Sequence, residues 1–388
     1  MRLSLRSLLL LAAAWVAAAC TAPARPTAPS GAPPAAPPAA TGPAPTAGGP
    51  SAPAPSGAAS APQPLQPPQP VRIASIGLAA QAPTYLAIEQ GYFTELGLLP
   101  EVVPLTTTAD VVAMLSGDQL DVGFGAINPA VFNAVARGVG IRIVADHGSN
   151  IPGRSTPSLA VRTDILERRP WTGYHDLRGL KVAVQQLGTL TEYYLELMLQ
   201  RGGVSRSEVE IVGLPFPDMA VAFANKAIDA AIYNEPWATQ QEQQGIIKKI
   251  VYTDDVDPNG HVAVLLYSET FARNTQAARN YMVGYLRGVR DYWDAYDGRR
   301  DFQIVIDVLQ KYTQLKDEAL LRKIPPTGQN PAGYLDPAKL AAYQDWFAER
   351  GLITRKIDIA QALDCSFLDY ANAVLGPYQP VAQPRRPE

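Results

Sequence analysis

The alternation of short apolar segments with helical segments most constrains the fold of this chain. From Val71 onward, apolar segments such as VRIASIG (71–77), LDVGFG (120–125) and LKVAVQQ (180–186) are each followed by a helical pattern. A short apolar run bounded by turn residues predicts a buried strand, and a longer amphipathic stretch predicts a helix. Such an alternation forms βαβ units, whose mainly parallel sheets are covered by helices on both faces. We therefore predict an α/β fold.

The length of this body predicts two lobes. From Val71 to about Tyr378 the chain is long for a single core. We expect PSLAVRTD (157–164) to continue the first sheet, LKVAVQQ to open a second one, and the chain beyond Thr275 to be helical. Ligands in folds of this class bind beyond the carboxyl ends of the strands. The segments that follow the strands are therefore the candidate site.

One such segment, NEPW (234–237), places an acid, a proline and a tryptophan directly after the apolar run AAIY. A related pattern occurs earlier, where DVGFG is followed by Asn128 and Pro129. Both places have the same order of elements: a helix, a strand, an Asn with a nearby Pro, and a second helix that ends at Gly. This pattern predicts that the two turns face each other across a cleft, although generic βα architecture also explains it.

The N-terminus predicts an exported protein. The segment MRLSLRSLLLLAAAWVAAAC has two basic residues, an apolar centre and small residues before Cys20, which is typical of a secretory signal peptide (1–20). Cys20 after three alanines resembles the lipobox of bacterial lipoproteins, in which the cysteine is lipidated. The other cysteine is Cys365, so no pair remains for an intramolecular disulfide after anchoring.

The next segment, 21–70, is predicted to be a disordered linker. It holds 17 of the 36 prolines, no aromatic residue and one charged residue, Arg25. Such a composition buries too little apolar surface to offset the entropy lost on ordering. We expect a semi-rigid spacer between a lipid anchor and the folded body.

Charge and motifs argue against several classes of function. The formal net charge is −3, without a basic stripe, which gives nucleic-acid binding no electrostatic support. The three histidines do not follow a metal-ligand spacing, and GxSxG and phosphate-binding glycine motifs are absent. An enzyme that uses the carboxylates of Asp218 and Glu235 remains an alternative. We expect no cofactor, no metal and a monomer.

Four segments together resemble the periplasmic solute-binding proteins of ABC importers, in the group that includes nitrate-, aliphatic sulfonate-, taurine- and thiamine-pyrimidine-binding proteins. The segments are GLAAQAPTYLAIEQGYFTELGLLPEVVP (77–104), LDVGFGAINPAVFNAVARGVGIRIVA (120–145), DLRGLKVAVQQLGTLTEYYLELML (176–199) and AIDAAIYNEPW (227–237). The resemblance implies a type II two-lobe fold with two hinge crossovers, at PSLAVRTD and HVAVLLYSE (261–269). It implies lobe 1 at 71–160, lobe 2 at 161–261, and the rest of lobe 1 with the C-terminal tail at 262–388. The partners it implies are a small-molecule ligand and a membrane permease with its ATPase.

The resemblance also implies that five groups of loops line the cleft: 77–84, 124–129, 147–154, 187–194, and 216–219 with 233–237. From these loops, and from Tyr85 directly after the first of them, we predict the ligand-binding residues Gln81, Tyr85, Phe124, Ala126, Asn128, Thr189, Thr191, Tyr193, Asp218, Tyr233, Asn234, Glu235 and Trp237.

The charges of these loops favour a neutral ligand. Arg154 is their one cation, whereas Asp218 and Glu235 would repel an anion. Each acid also has a structural interpretation, Asp218 as a helix N-cap and Glu235 as a first-turn residue that interacts with the helix dipole. Aromatic walls with carboxylate and amide acceptors suit a flat ring that carries N–H donors, such as riboflavin or a thiamine-precursor pyrimidine. The alternative is a sulfonate, taurine or nitrate.

Overall fold

The computed structural model describes residues 61–380. The predicted signal peptide (1–20), its lipidation site Cys20 and most of the predicted linker lie outside the described residues. The strands are β1 (Gln69–Ser75), β2 (Leu98–Pro104), β3 (Val122–Ala126), β4 (Ile141–Ser149), β5 (Ser158–Arg162), β6 (Lys181–Val184), β7 (Glu210–Gly213), β8 (Ala230–Tyr233), β9 (Ile247–Tyr252) and β10 (His261–Ser268).

The helices follow the strands as the alternation predicts. They are α1 (Ala82–Glu89), α2 (Tyr92–Glu95), α3 (Thr108–Ser116), α4 (Pro129–Arg137), α5 (Thr163–Arg168), α6 (Leu190–Arg201), α7 (Phe216–Ala224), α8 (Trp237–Gln243), α9 (Glu269–Arg273), α10 (Thr275–Tyr296), α11 (Gln303–Tyr312), α12 (Glu318–Leu321), α13 (Pro337–Glu349), α14 (Ile359–Ala362) and α15 (Ser366–Leu375). Short 3-10 turns occur at Ala79–Gln81, Tyr174–Leu177, Arg206–Glu208 and Thr253–Asp255.

Two five-stranded sheets organise the fold, with strand orders β2-β1-β3-β10-β4 and β7-β6-β8-β5-β9. In the first sheet β1 is parallel to β2 and β3, and β10 is antiparallel to β3 and β4. In the second sheet β6 is parallel to β7 and β8, and β5 is antiparallel to β8 and β9. Each sheet is thus mainly parallel, with one antiparallel strand. The predicted α/β two-lobe fold is confirmed.

The placement of β5 corrects one sequence-based expectation. PSLAVRTD does not continue the first sheet, because β5 lies between β8 and β9 in the second sheet. Likewise, β10 lies wholly in the first sheet. The chain therefore crosses between the sheets in the segments before these strands, 150–157 and 253–260, a few residues earlier than the resemblance implies.

Capping residues and glycines set the ends of the helices that begin near the sheets. The Asn128 side chain accepts hydrogen bonds from the first turn of α4, and Gly138, with φ +69°, ends that helix. Thr107 and Asp110 form a capping box at the start of α3. The helices α1 and α2 are separated at Gly91, whose φ of +74° an α-helix does not accommodate.

Apolar packing extends through both lobes. One cluster of buried side chains surrounds α10 and includes the β1 face of the first sheet. A second cluster contains Val264 of the first sheet, Ile232 of the second sheet and Phe347 of α13. Phe347 packs against Phe132 of α4, with ring centroids 5.7 Å apart. The helix α13 therefore contributes to the core that the two lobes share.

The packed body begins before Val71. Leu65 is buried, and its N–H donates to the carbonyl of Leu96 across 3.1 Å. A β-carbon on Gly97 would lie 2.4 Å from the Leu65 nitrogen, so a glycine is required for this close approach. Residues 65–70 are therefore part of the folded body, although their composition assigns them to the linker. The other domain limits stay predictions.

Candidate ligand-binding cleft

The loops at the carboxyl ends of the parallel strands lie beside the two crossings. The crossing 150–157 leaves the carboxyl end of β4, and the crossing 253–260 leaves the carboxyl end of β9. The strands β1 to β4 run in one direction in the first sheet, and β6 to β9 run in one direction in the second sheet. The loops that follow β1 to β4 therefore lie at one edge of the first sheet, and the loops that follow β6 to β9 lie at one edge of the second sheet. We call the loops at these two edges the candidate cleft.

An aromatic pair lies in the strand-end loops of the second sheet. Trp237, which begins α8 after β8, stacks on Phe216, which begins α7 after β7, with ring centroids 5.4 Å apart and an interplanar angle of 29°. Both side chains are half-buried. The hydroxyl of the buried Tyr233 donates to the carbonyl of Phe216 across 3.1 Å and fixes the turn. Phe216 was not among the predicted ligand-binding residues, although PFPD directly after a strand was a usable signal.

The carboxylate of Glu235 is engaged within the second lobe. One oxygen accepts the backbone N–H of Thr239 across 3.0 Å, and the other lies 3.2 Å from the ammonium of Lys249. Burial lowers the pKa of Lys249, but the nearby carboxylates of Glu235 and Glu242 outweigh it, and the pKa is raised overall. The Oδ1 atom of Asn234 accepts the N–H of Glu235 across 2.8 Å. A ligand that binds Glu235 must share the carboxylate with these donors.

The other predicted residues of the second lobe differ in exposure. The hydroxyls of Thr189 and Thr191 lie 3.0 Å apart, and Thr191 also accepts the N–H of Gln185 across 3.1 Å. Asp218 is exposed in the first turn of α7, whose N-cap is Pro215. The N-cap interpretation of Asp218 is therefore wrong, because α7 begins two residues earlier than the pattern indicates.

In the first lobe, Gln81 and Tyr85 are buried in contacts with β1. The Gln81 amide accepts the N–H of Ile76 across 3.0 Å and donates to the carbonyl of Ala74 across 3.1 Å. The Tyr85 hydroxyl lies 2.7 Å from the hydroxyl of Ser75, and burial raises the pKa of Tyr85 to about 12. These two side chains hold the loop after β1 in place.

The loop after β3 carries the remaining predicted residues. Ala126 is exposed, and the half-buried Asn128 uses its Oδ1 to cap α4, at 2.9 Å from the N–H of Ala130. Phe124 is buried, and its ring centroid lies 4.8 Å from that of His147. Ala126 and Asn128 therefore lie at the edge, and Phe124 lies beneath it.

Two side chains of the predicted loops pack against helices of the protein. Tyr193 packs edge-on against Tyr343 and Trp346 of α13, with ring centroids 5.3 and 5.7 Å apart. Arg154 is 2% exposed, pairs with the carboxylate of Asp297 and lies over the ring of Trp293 at 4.0 Å. Arg154 is thus not available to bind a ligand, although the sequence indicated it as the one cation of these loops.

The candidate cleft has one cation, Arg154, and this side chain is buried against Asp297. Apart from Arg154, the loops contain no Lys, Arg or His; they are 76–82, 105–108, 126–129, 150–157, 185–191, 214–218, 234–237 and 253–260. They also present apolar side chains, because Leu78 is 38% exposed and Leu187 is 50% exposed. Within residues 61–380, the side chains of His, Cys, Asp and Glu form no group that could hold a metal ion.

A match to a family model shows to which group of proteins this chain belongs. A model described as the NMT1-like family matches residues 65–306, which is more than half of the chain. The chain belongs to the NMT1-like family. Its fold is that of the ABC-type periplasmic binding proteins, so the resemblance seen in the sequence is confirmed.

Three related proteins illustrate the similarity of this NMT1-like protein. It is 23% identical over 300 residues to the riboflavin-binding protein RibY of Chloroflexus aurantiacus. The matched region covers 74% of this chain and 82% of RibY. The periplasmic aliphatic sulphonate-binding protein SsuA of Escherichia coli superposes with a TM-score of 0.59 at 20% identity, over 79% of this chain and 99% of SsuA. The periplasmic nitrate-binding protein NrtA of Synechocystis PCC 6803 superposes with a TM-score of 0.60 at 14% identity, over 82% and 90%.

In the described part of the NMT1-like protein, no helix is both long enough and apolar enough to span a membrane.

Proposed function

We propose that this NMT1-like protein is the extracytoplasmic solute-binding component of an ABC importer. It captures a small, neutral heteroaromatic molecule of the vitamin type, such as riboflavin or a thiamine-precursor pyrimidine, and delivers it to a membrane permease with its ATPase. The observation that carries the proposal is the stacked pair of Phe216 and Trp237 in a candidate cleft whose one cation, Arg154, is buried against Asp297.

The aromatic pair suits a flat ring. Both side chains are half-buried, so part of their surface remains open to a ligand. Stacking of a base on an aromatic side chain contributes about 1–3 kcal/mol, independently of hydrogen-bond pattern. The exposed Leu78 and Leu187 add apolar contact surface at the edges of the two lobes. A heteroaromatic ring with polar substituents therefore matches the chemistry of these loops.

The helix N-termini at the candidate cleft disfavour an anion. An anion would be bound by cations or by free N–H groups of a first helical turn. Asn128 occupies the first N–H groups of α4, and Asp218 places a carboxylate in the first turn of α7. The N-termini of α6 and α7 have no side-chain cap, but each carries a carboxylate in its first turn, that of Glu192 in α6 and that of Asp218 in α7. A carboxylate beside a bound anion is unfavourable, which supports the neutral ligand over a sulfonate, taurine or nitrate.

The relationship to RibY supports the same class of ligand. RibY is named a riboflavin-binding protein, and the similarity extends over 82% of its length. At 23% identity the two proteins differ at most positions, so riboflavin is one member of the proposed ligand class.

Calorimetric titration of the purified protein tests the ligand. Riboflavin, 4-amino-5-hydroxymethyl-2-methylpyrimidine, an alkanesulfonate and nitrate form the panel, and we expect one of the first two to bind with one molecule per chain. A bound ligand at roughly 100 times its Kd should add about 2.7 kcal/mol to the free energy of unfolding. Binding of only the sulfonate or nitrate would reject the neutral class. Recovery of a chemically altered ligand would favour the enzyme that uses Asp218 and Glu235.

We also propose that the protein is attached to the outer face of the cell membrane through a lipid on Cys20. The support is the sequence before this residue and the Pro-rich segment after it. Cys20→Ser should release the protein from the membrane fraction and leave its affinity for the ligand unchanged. Wild-type protein that is membrane-bound without lipid on Cys20 would contradict the anchor and leave the ligand proposal intact.

A further inference from the structure

His147 is a buried residue that the predicted set of ligand-binding residues did not include. It lies near the carboxyl end of β4, beside the candidate cleft, and is 1% exposed. Its ring packs against Phe124 with centroids 4.8 Å apart, and its Nδ1 lies 3.0 Å from the hydroxyl of Tyr285 on α10. Within residues 61–380, its Nε2 is buried without a hydrogen-bond partner.

The neighbours of Tyr285 determine which nitrogen of His147 carries the proton. The single hydroxyl proton of Tyr285 has the carbonyl of Asp146 at 2.8 Å and the Oε1 of Gln329 at 3.3 Å as acceptors. The orientation of Gln329 is fixed, because its Nε2 donates to the carbonyl of Ala80 across 2.6 Å. If Tyr285 donates to Asp146, its oxygen accepts from Nδ1–H of His147. In this arrangement the proton sits on Nδ1, and Nε2 is a lone-pair acceptor.

The imidazole stays neutral at physiological pH. Burial lowers the pKa of His147 to about 4, and the carboxylate of Asp146 offsets this only in part. A neutral, buried acceptor without a donor is destabilising, because it has lost its hydrogen bond to water. Such an atom is satisfied when a donor from a bound molecule reaches it.

One segment of the candidate cleft packs against the strand that carries His147. The turn Ala79–Gln81 packs against β4 and is tied to Gln329 through the carbonyl of Ala80. Leu78, directly before this turn, is 38% exposed. A solute that enters beside Leu78 and displaces the turn would meet the ring of His147 next to Phe124.

We infer that His147 is a ligand-contacting residue whose Nε2 accepts a hydrogen bond from an N–H or O–H group of the bound solute. The inference rests on the proposed function, and it deepens it by requiring that the solute be a hydrogen-bond donor at this point. An aromatic N–H, an imide N–H or a hydroxyl fulfils the requirement. A fully deprotonated sulfonate or nitrate does not.

Two matched variants separate the two nitrogens of His147. In His147→Asn the amide N–H can replace Nδ1–H and keep the bond to Tyr285, but nothing replaces Nε2. In His147→Gln the longer side chain can place its amide oxygen near the position of Nε2. For riboflavin, or for the pyrimidine if riboflavin does not bind, we expect a loss of affinity of roughly five- to 150-fold in His147→Asn, the equivalent of one buried hydrogen bond. We expect a smaller loss in His147→Gln.

A spectroscopic measurement on the wild-type protein does not depend on how well the variants fold. The ¹⁵N signal of Nε2, assigned by its loss in His147→Asn, should be that of an unprotonated imidazole nitrogen and should move upfield when the titrated compound binds. An unchanged Nε2 signal in a protein saturated with riboflavin or the pyrimidine would overturn the inference and leave the proposed function standing. If neither compound binds, the proposed function fails and this inference fails with it.

Discussion

The indole N–H of Trp346 donates a hydrogen bond to the carboxylate of Glu196 across 2.9 Å. Glu196 lies on α6, which follows β6 of the second sheet. Trp346 lies on α13, which packs against α4 beside the first sheet. The guanidinium of Arg350 pairs with the same carboxylate. The contact therefore connects helices of the two lobes, and a change of the angle between the lobes must move or break it.

Replacement of Trp346 by phenylalanine tests the energy of this contact. Phenylalanine keeps an aromatic ring against Tyr193, but it has no N–H to donate to Glu196. Because the acceptor is charged and buried, Trp346→Phe should lower the free energy of unfolding by about 1.5–3 kcal/mol. Chemical denaturation measures this change, and small-angle scattering tests whether the variant is more open. Trp171→Phe is the matched control, because the half-buried Trp171 packs edge-on against Tyr174. Equal stability of both variants and the wild type would mean that the bond does not hold the lobes together.

Replacement of Trp237 by alanine tests the aromatic surface. If the indole stacks on the ligand, Trp237→Ala should weaken riboflavin or pyrimidine binding by about 1–3 kcal/mol. Isothermal titration calorimetry measures the change. Val221→Ala is a control on the neighbouring helix α7, where Val221 is 61% exposed. An unchanged Kd in Trp237→Ala would show that the stacked pair is a structural contact only.

Replacement of Glu235 by glutamine separates two roles of one carboxylate. The amide keeps an acceptor for the N–H of Thr239 but removes the ion pair with Lys249, so stability should fall by about 1–3 kcal/mol. Glu242→Gln is the matched control, since it removes the other carboxylate near Lys249, at 3.1 Å, without changing the turn at 234–237.

The same variant reports on the charge of the ligand. If a neutral solute donates to Glu235, Glu235→Gln should weaken its binding, whereas an anion should bind more tightly once a like charge is removed. Calorimetric titration with each compound of the panel measures the sign. Unchanged affinity for every compound that the wild type binds would leave Glu235 as a residue that only holds α8 and β9.

The fold was largely predictable because its signals are local. Apolar runs such as AAIY and capping residues such as Asn128 depend on neighbours a few residues away, and the structure has a strand and a helix where they predict them. The sheet that β5 joins was not predictable in this way. Its antiparallel partners β8 and β9 come much later in the chain, and an apolar run does not encode which of two sheets accepts it.

The roles of individual site residues were less predictable, for the same reason. Arg154 is bound by Asp297, which is 143 residues away, and Tyr193 packs on α13. No motif near either residue indicates these partners. The ion pair between Glu235 and Lys249 depends on the packing of α8 against β9. A strand-to-helix pattern in the sequence does not describe this packing. Which predicted residues touch the ligand stays a prediction.

Two glycines with the same backbone conformation test how the N-terminal segment is held. Gly97 and Gly91 have φ values of +73° and +74°, so alanine at either position should cost roughly 1–2 kcal/mol for the left-handed backbone. Around Gly91 there is open space, but a β-carbon at Gly97 would collide with the backbone of Leu65. Gly97→Ala should therefore destabilise the protein more than Gly91→Ala does. It should also expose the segment 61–69 to proteases. Equal effects of both variants would mean that this segment is not tightly docked.

The titration of His147 gives a pH dependence that its variants can isolate. Its pKa is lowered by burial from the usual value of 6.5 to about 4 in the folded protein. Between these values the unfolded chain binds a proton that the native protein does not bind, so stability rises with pH through this window. As the pH falls from about 6.5 to about 4, this group alone should lower the free energy of unfolding by up to about 3 kcal/mol.

Carboxylates titrate in part of the same range, so the test compares variants rather than a single curve. Denaturation midpoints at intervals from pH 7 to pH 4 should fall less steeply in His147→Gln, which has no imidazole to protonate. His175→Gln removes an exposed imidazole and is the matched substitution with which the slope of His147→Gln is compared. A parallel slope in His147→Gln and the wild type would show that the ring is hydrated in solution. Such a ring would also already have a donor at Nε2, and the need for one from a ligand would disappear.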